Sequence, residues 1–134
     1  MNKRTISIIL AILAVVLGSI ACGFSASTAN IKDAYLASDS EGTQKTTTFT
    51  QDDVFYCLVT LANAPDDTVT KTVWYAVEAE NTEPNFMIDE VSITQGDGPI
   101  TFNLANNNLW PFGKYKVELY LNDKLDRTLE FEVR

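Results

Sequence analysis

The sequence contains no histidine. Ser-His-Asp and Cys-His catalytic sites need an imidazole to carry the proton, so both are excluded in their usual form. Zinc sites built from cysteine and histidine go with them. Glycine is sparse, with six residues, and none falls in a phosphate loop or a dinucleotide fingerprint. Cysteine is limited to Cys22 and Cys57. Cys57 sits in the apolar run Val54–Leu61, where a lone thiol behaves as a small buried hydrophobe. No amphipathic helical period, internal repeat or low-complexity segment occurs in the body of the chain. Acids are plentiful, 18 against 10 bases, yet no spacing singles out a pair for general acid–base work. Asp52-Asp53, Asp66-Asp67 and Asp97 fall in expected loops, where calcium finds oxygen ligands, but the dense repeating Asp pattern of calcium loops is missing. The acids therefore read as a solvated surface. No cofactor, no metal and no catalysis are expected.

The first segment of the chain gives an address. Asn2-Lys3-Arg4 is basic, and Thr5 to Ala21 follows as 17 residues without a charge, rich in Ile, Leu, Val and Ala. A basic start, an apolar run and small residues before a cut make a secretory signal. Gly18-Ser19-Ile20-Ala21-Cys22 closes it and resembles the bacterial lipoprotein signal. That resemblance implies cleavage before Cys22 and diacylglycerol on its thiol. Ser19 stands where Leu is more usual, and Gly23 follows the cysteine, so the Asp that marks inner-membrane retention is missing. An uncleaved anchor helix, for which 17 residues is at the short end, and an ordinary cleaved signal are the alternatives; all three export the domain. The expected location is the cell envelope, outside the cytoplasm, with the membrane reached through the N-terminal lipid.

The expected organisation is a signal peptide over residues 1–21, a tether over 22–30 and one domain over 31–134. Gly23 to Asn30 is small and polar and spans at most about 29 Å. Cleavage after residue 21 leaves 113 of the 134 residues, with all 18 acids and 8 of the 10 bases, a net charge of −10. Such a field repels nucleic acid and an anionic membrane surface, so neither is an expected direct partner.

The body of the chain reads as short strands spaced by turns. Candidates are Ile31–Ala37, Thr46–Thr50, Val54–Leu61, Val69–Glu80, Phe86–Thr94 and Ile100–Leu104. In the third, Phe55, Cys57, Val59 and Leu61 share the core side, while Tyr56 and Leu58 on the opposite face call for cover there or for a partner beside the strand. Asp89-Glu90 interrupts the fifth and suggests a bend or an edge position. Tyr115, Val117, Leu119 and Leu121 then alternate with polar residues, as do Leu129, Phe131 and Val133, the period of half-buried strands. A three-residue loop, Asn122–Lys124, sets Val117 opposite Leu129, Tyr115 opposite Phe131, Lys116 opposite Glu130 and Leu121 opposite Leu125. It also sets Arg127 opposite Leu119 on the inner face.

Upstream of this hairpin, Trp110-Pro111-Phe112-Gly113 breaks regular structure, because proline fixes its backbone and glycine permits a sharp bend. Gly113-Lys114-Tyr115-Lys116-Val117 resembles the start of the penultimate strand in immunoglobulin-like and fibronectin-like domains. The resemblance implies an all-β, antiparallel, two-sheet sandwich of seven to eight strands. It implies that the Tyr115 hydroxyl bonds back to the upstream backbone and that Trp74 is buried on a middle strand. Trp74 lies on the opposite parity from Val69, Val73, Tyr75 and Val77, so an inward Trp74 calls for a phase shift in that strand. The antibody-type cysteine pair is absent, so the likeness is one of architecture.

Possible contact residues are Tyr120, which points outward in this register, with Tyr75, Tyr56, Trp110 and Phe112. The expected function is a lipid-anchored extracytoplasmic binding or structural module whose partner is a protein or glycan. The alternative is a protease-inhibitor-like or glycan-binding domain presenting loops such as Trp110-Pro111-Phe112 or Ala64-Pro65-Asp66.

Overall fold

The computed structural model describes residues 28–134. The segment expected to be a signal, Cys22 and most of the expected tether lie outside the described residues. Alternation of apolar and polar side chains produces eight strands: β1 (Asn30–Ala37), β2 (Thr48–Phe49), β3 (Phe55–Ala62), β4 (Val69–Ala79), β5 (Phe86–Thr94), β6 (Gly98–Leu104), β7 (Gly113–Leu121) and β8 (Lys124–Val133). They form a sheet of order β1-β3-β6 and a second of order β2-β8-β7-β4-β5. Neighbours are antiparallel, except that β2 runs parallel to β8. This is an immunoglobulin-like two-sheet sandwich, as the late strands suggested.

The core forms where the inner faces meet. Phe55, Cys57, Val59 and Leu61 of β3 face Trp74, Tyr115, Val117, Leu119, Phe131 and Val133 of the larger sheet, all buried. On β4 the residues Thr70, Thr72, Trp74 and Ala76 all face the core. Trp74 is thus inward without a phase shift. The valine and tyrosine set, Val73, Tyr75 and Val77, faces the outer side, where the neighbouring strands of this interior strand cover it. The Trp74 indole nitrogen donates to Thr72 Oγ1 at 3.1 Å. Thr70 Oγ1 is buried and makes no hydrogen bond. Replacing an unsatisfied buried hydroxyl by a methyl removes a desolvation penalty, so Thr70→Val is expected to stabilise the domain by about 1 kcal/mol, read from its urea midpoint.

The hairpin corrects one expectation. The loop is the two-residue Asn122-Asp123, with φ of 48° and 66°, the left-handed pair of a type I′ turn. It pairs Leu121 with Lys124, where Leu121–Leu125 was expected. A bulge then leaves Asp126 unpaired and restores Leu119↔Arg127, Val117↔Leu129, Tyr115↔Phe131 and Lys116↔Glu130. The tight turn matches strand twist, and the bulge returns each side chain to its proper face. Arg127 is accommodated because its Nη2 donates to the Ile31 carbonyl at 2.9 Å, tying β8 to β1 of the other sheet.

The corner before β7 forms as expected: the Tyr115 hydroxyl donates to the Pro111 carbonyl at 2.6 Å. Over the outer face of the smaller sheet, residues 38–47 fold back so that Gly42 packs on Tyr35 and Leu58. Its carbonyl accepts from the Tyr35 hydroxyl at 3.3 Å. This supplies the cover that Leu58 called for.

Burial pushes the Cys57 thiol up from 9.0 to about 12, and the Tyr115 hydroxyl from 10.0 to about 12. Both groups stay neutral in either state below pH 9.0, and their contribution is then fully present. As pH rises, the unfolded chain releases these protons first, so stability falls toward the folded values. The urea midpoint is expected to drop progressively above pH 9.0, with a shallower drop in Cys57→Val.

Candidate binding surface

Two surfaces collect the contact residues expected from the sequence. The first is the outer face of the five-stranded sheet. Tyr120 pairs with Lys71 and Tyr75 with Lys116, with the Val73–Glu118 pair between them. Lys71 Nζ lies over the Tyr120 ring at 4.6 Å and Lys116 Nζ over the Tyr75 ring at 4.8 Å. Lys71 also pairs with Glu90 at 3.3 Å, and Lys116 with Glu118 at 3.6 Å. The Tyr120 hydroxyl donates to Glu118 Oε1 at 3.2 Å. Desolvation, then the Glu118 charge, holds both phenols above their usual range. The structure thus brings Tyr75 and Tyr120 together, but each ring already carries a lysine and Glu118 engages both lysine and phenol. A ligand landing here displaces contacts the sheet makes with itself.

Tyr56 belongs to the other sheet, paired between Ala37 and Asn103, so it does not join the other two tyrosines. Trp110 is a correction. It is only 5% exposed: its ring stacks on Phe55 at 4.6 Å, its indole nitrogen donates to the Asp53 carbonyl at 2.9 Å, and its amide donates to the Gln51 carbonyl at 2.9 Å. The proline that follows turns the chain so that Trp110 enters the core while Phe112 stays out, 41% exposed.

The second surface is one end of the sandwich. The chain enters β1 at Asn30, opposite Ala62, and Thr28 Oγ1 donates to the Asn63 carbonyl at 2.8 Å. Register places the 63–68 loop, the 95–97 turn and the 122–123 turn at that same end. The 50–54, 80–85 and 105–112 loops lie at the other. The large apolar side chains most exposed to solvent are Phe86, Met87, Leu109, Phe112 and Leu125, and all but Leu125 gather at or beside this far end.

A groove of about 270 Å³ opens there, lined by Phe86, Ile88, Pro111 and the edges of Trp110 and Tyr115, with Thr82 and Asn106 at its polar side. Depressions of about 400 Å³, lined by residues including Lys114, Glu130 and Glu132, and of about 550 Å³, lined by residues including Tyr35, Leu36, Lys45, Thr46 and Leu129, contain none of the exposed large apolar side chains; a further one of about 510 Å³ holds Phe112 with Glu78, Glu80, Lys114 and Glu132. The three far-end loops carry Asp52, Asp53, Glu80 and Glu83 and no base. Asp52 and Asp53 accept from Thr50 and stand at the opposite end from Asp66, Asp67 and Asp97. Among the described residues no three acids converge on a metal position. Of the far-end apolar residues the sequence singled out only Phe112 and Trp110. Leu109 carried a weak signal, a lone apolar residue after three asparagines.

No protein-family model and no curated protein sequence matches the chain. Solved structures do. An immunoglobulin-like protein from Pseudomonas aeruginosa superposes with a TM-score of 0.54 at 14% identity, over 82% of this chain and 99% of that one. An alkylpurine DNA glycosylase from Pseudomonas fluorescens, bound to DNA containing an abasic-site analogue, gives 0.53 at 15% identity, over 81% of this chain and 31% of its own. A β-glucosidase from Erythrobacter marinus gives 0.54 at 11% identity, over 80% of this chain and 15% of its own. In both enzymes the likeness is to a part of a longer protein. At these identities the likeness is one of fold: the chain shares the immunoglobulin-like sandwich with proteins of different activities.

Proposed function

We propose that this chain is a lipid-anchored, extracytoplasmic β-sandwich that acts as a binding module without catalysis. One observation carries the binding role: four of the five exposed large apolar side chains, Phe86, Met87, Leu109 and Phe112, gather at or beside the end of the sandwich opposite the end where the chain enters. An anchor at Cys22 followed by a tether of at most about 29 Å holds the near end beside the membrane and turns the far end outward. Exposed apolar side chains clustered on a soluble domain favour contact with another molecule. The absence of histidine supports a non-catalytic role.

The glycan-binding alternative draws support from Asn106, Asn107 and Asn108, all exposed beside the groove. A protease inhibitor presenting Trp110-Pro111-Phe112 fits poorly, because Trp110 is held in the core. The test begins with mass spectrometry of the exported protein. The expected result is a chain beginning at Cys22 and carrying diacylglycerol, with Cys22→Ser recovered in the soluble fraction. An unmodified Cys22 on a membrane-free protein removes the anchor. Capture of neither protein nor glycan by the wild-type protein from envelope extracts removes the binding role.

A further inference from the structure

We infer that the far-end groove docks a basic, apolar segment of a partner protein, which seats one large apolar side chain between Phe86 and Pro111. The inference rests on the binding-module reading and adds the chemistry of the partner. Its first support is shape and polarity. The groove holds about 270 Å³, room for one large side chain. Its walls are aromatic and aliphatic, and Leu109 and Phe112 are exposed on the same 105–112 loop that supplies Trp110 and Pro111 to it.

Its second support is charge. The three far-end loops carry Asp52, Asp53, Glu80 and Glu83 without a base; of the bases beside them, Lys114 shares a depression with Glu78, Glu80 and Glu132, and Arg134 pairs with Glu132, so this end keeps an excess of acids. Glu80 and Glu83 are exposed and enter none of the ion pairs among the described residues. The Glu80 amide donates to the Phe112 carbonyl at 3.0 Å, which fixes that acid beside the apolar patch. A negative rim around an apolar depression favours a positive segment and repels an acidic one. The sheet face of Tyr75 and Tyr120 offers no such imbalance, because its lysines and glutamates are paired with each other.

A strand added to the free edge of β5 is a weaker alternative. Among the described residues β5 pairs only with β4, but Ile88 is bulged out of that ladder and Asp89-Glu90 follows. Bulges and charges of this kind block edge pairing. Self-association through this edge is disfavoured as well, since antiparallel pairing about its middle would set Glu90 against Glu90.

The test uses the full chain, isotope-labelled in nonionic micelles, with empty micelles as the blank. The probe is the synthetic peptide Lys-Lys-Phe-Leu-Lys-Lys. A second probe carries Glu for each Lys, and a third is an N-acetylglucosamine oligomer. The expected result is that the basic peptide shifts the Trp110 indole resonance and the amides of residues 80–85 and 105–112, and that the acidic peptide shifts nothing. Glu80→Gln with Glu83→Gln is expected to weaken binding by about tenfold. Leu109→Ser with Phe112→Ser, both exposed positions, should weaken it similarly while leaving the rest of the spectrum in place. Shifts spread evenly over the acidic surface overturn the inference, as does binding unchanged in either variant. A response to the sugar with none to the peptide overturns it too, while leaving the binding-module reading intact.

Discussion

Phe55→Ala is expected to destabilise the domain by about 3–5 kcal/mol, the range for deleting a large aromatic from a packed core. Phe55 is fully buried at the start of β3. Its ring meets Phe49 at 4.8 Å, Trp110 at 4.6 Å, Phe131 at 4.8 Å, Tyr115 at 5.8 Å and Trp74 at 6.5 Å. Those partners come from β2, β8, β7, β4 and the 105–112 loop, so one side chain of the smaller sheet touches most of the larger one. Each aromatic pair adds about 0.5–1.5 kcal/mol beyond area burial, and none of the partners can follow the ring if it is removed. Urea unfolding followed by tryptophan fluorescence reads the loss directly, because both tryptophans touch Phe55. A loss under about 1 kcal/mol, the level of a typical surface or minor change, would show that the ring stack does not hold the layers together.

The second large effect is at Gly113. Its φ of 150° already favours glycine. A Cβ added there would lie 2.2 Å from the Glu78 carbonyl oxygen and 2.5 Å from Ala79 Cα. Both obstacles are backbone in β4, so neither can swing aside. The close approach exists because the chain must turn sharply from Phe112 into β7 beside the end of β4, where Val77 is bulged out of the β4–β7 ladder between Ala76 and Glu78. Gly113→Ala is expected to cost about 3 kcal/mol, combining backbone strain with overpacking. The same displacement should break the bond from the Tyr115 hydroxyl to Pro111 and move Phe112, so the far end changes with the fold. Denaturation gives the magnitude, and the Trp110 indole resonance reports the local shift. An alanine variant as stable as the native chain would mean that this corner is looser than its geometry indicates.

The strands were legible because a period of two is a local signal that survives in any tertiary context. The Tyr115 corner was legible for a related reason: proline, glycine and tyrosine act within a few residues of one another. Asp89-Glu90 likewise suggested a bend or an edge position, and β5 is an edge strand with a bulge at Ile88. Trp74 came out inward, but the reason was hidden. Val73, Tyr75 and Val77 looked like the core set of β4, and only the position of β4 between β5 and β7 explains how apolar residues occupy its outer face. The Asn122–Lys124 loop was misread because a two-residue turn alone mixes the faces; the Asp126 bulge that repairs them leaves no sequence mark. Trp110 and Phe112 looked equivalent beside Pro111, yet one is core and the other surface. The far-end groove was least legible. It depends on which loops share an end of the sandwich, which topology decides and no single segment encodes.

The central claim is that contact is made at the far end, away from the membrane. The most direct measurement places a photo-crosslinking amino acid at one position at a time in the full-length protein, in intact cell envelopes. Leu109 and Phe112 sample the far end, Tyr120 the sheet face and Asn63 the near end. The account predicts one shared crosslinked product from Leu109 and Phe112, and none from Tyr120 or Asn63. Crosslinks from Tyr120 or Asn63 with Leu109 and Phe112 silent would contradict it.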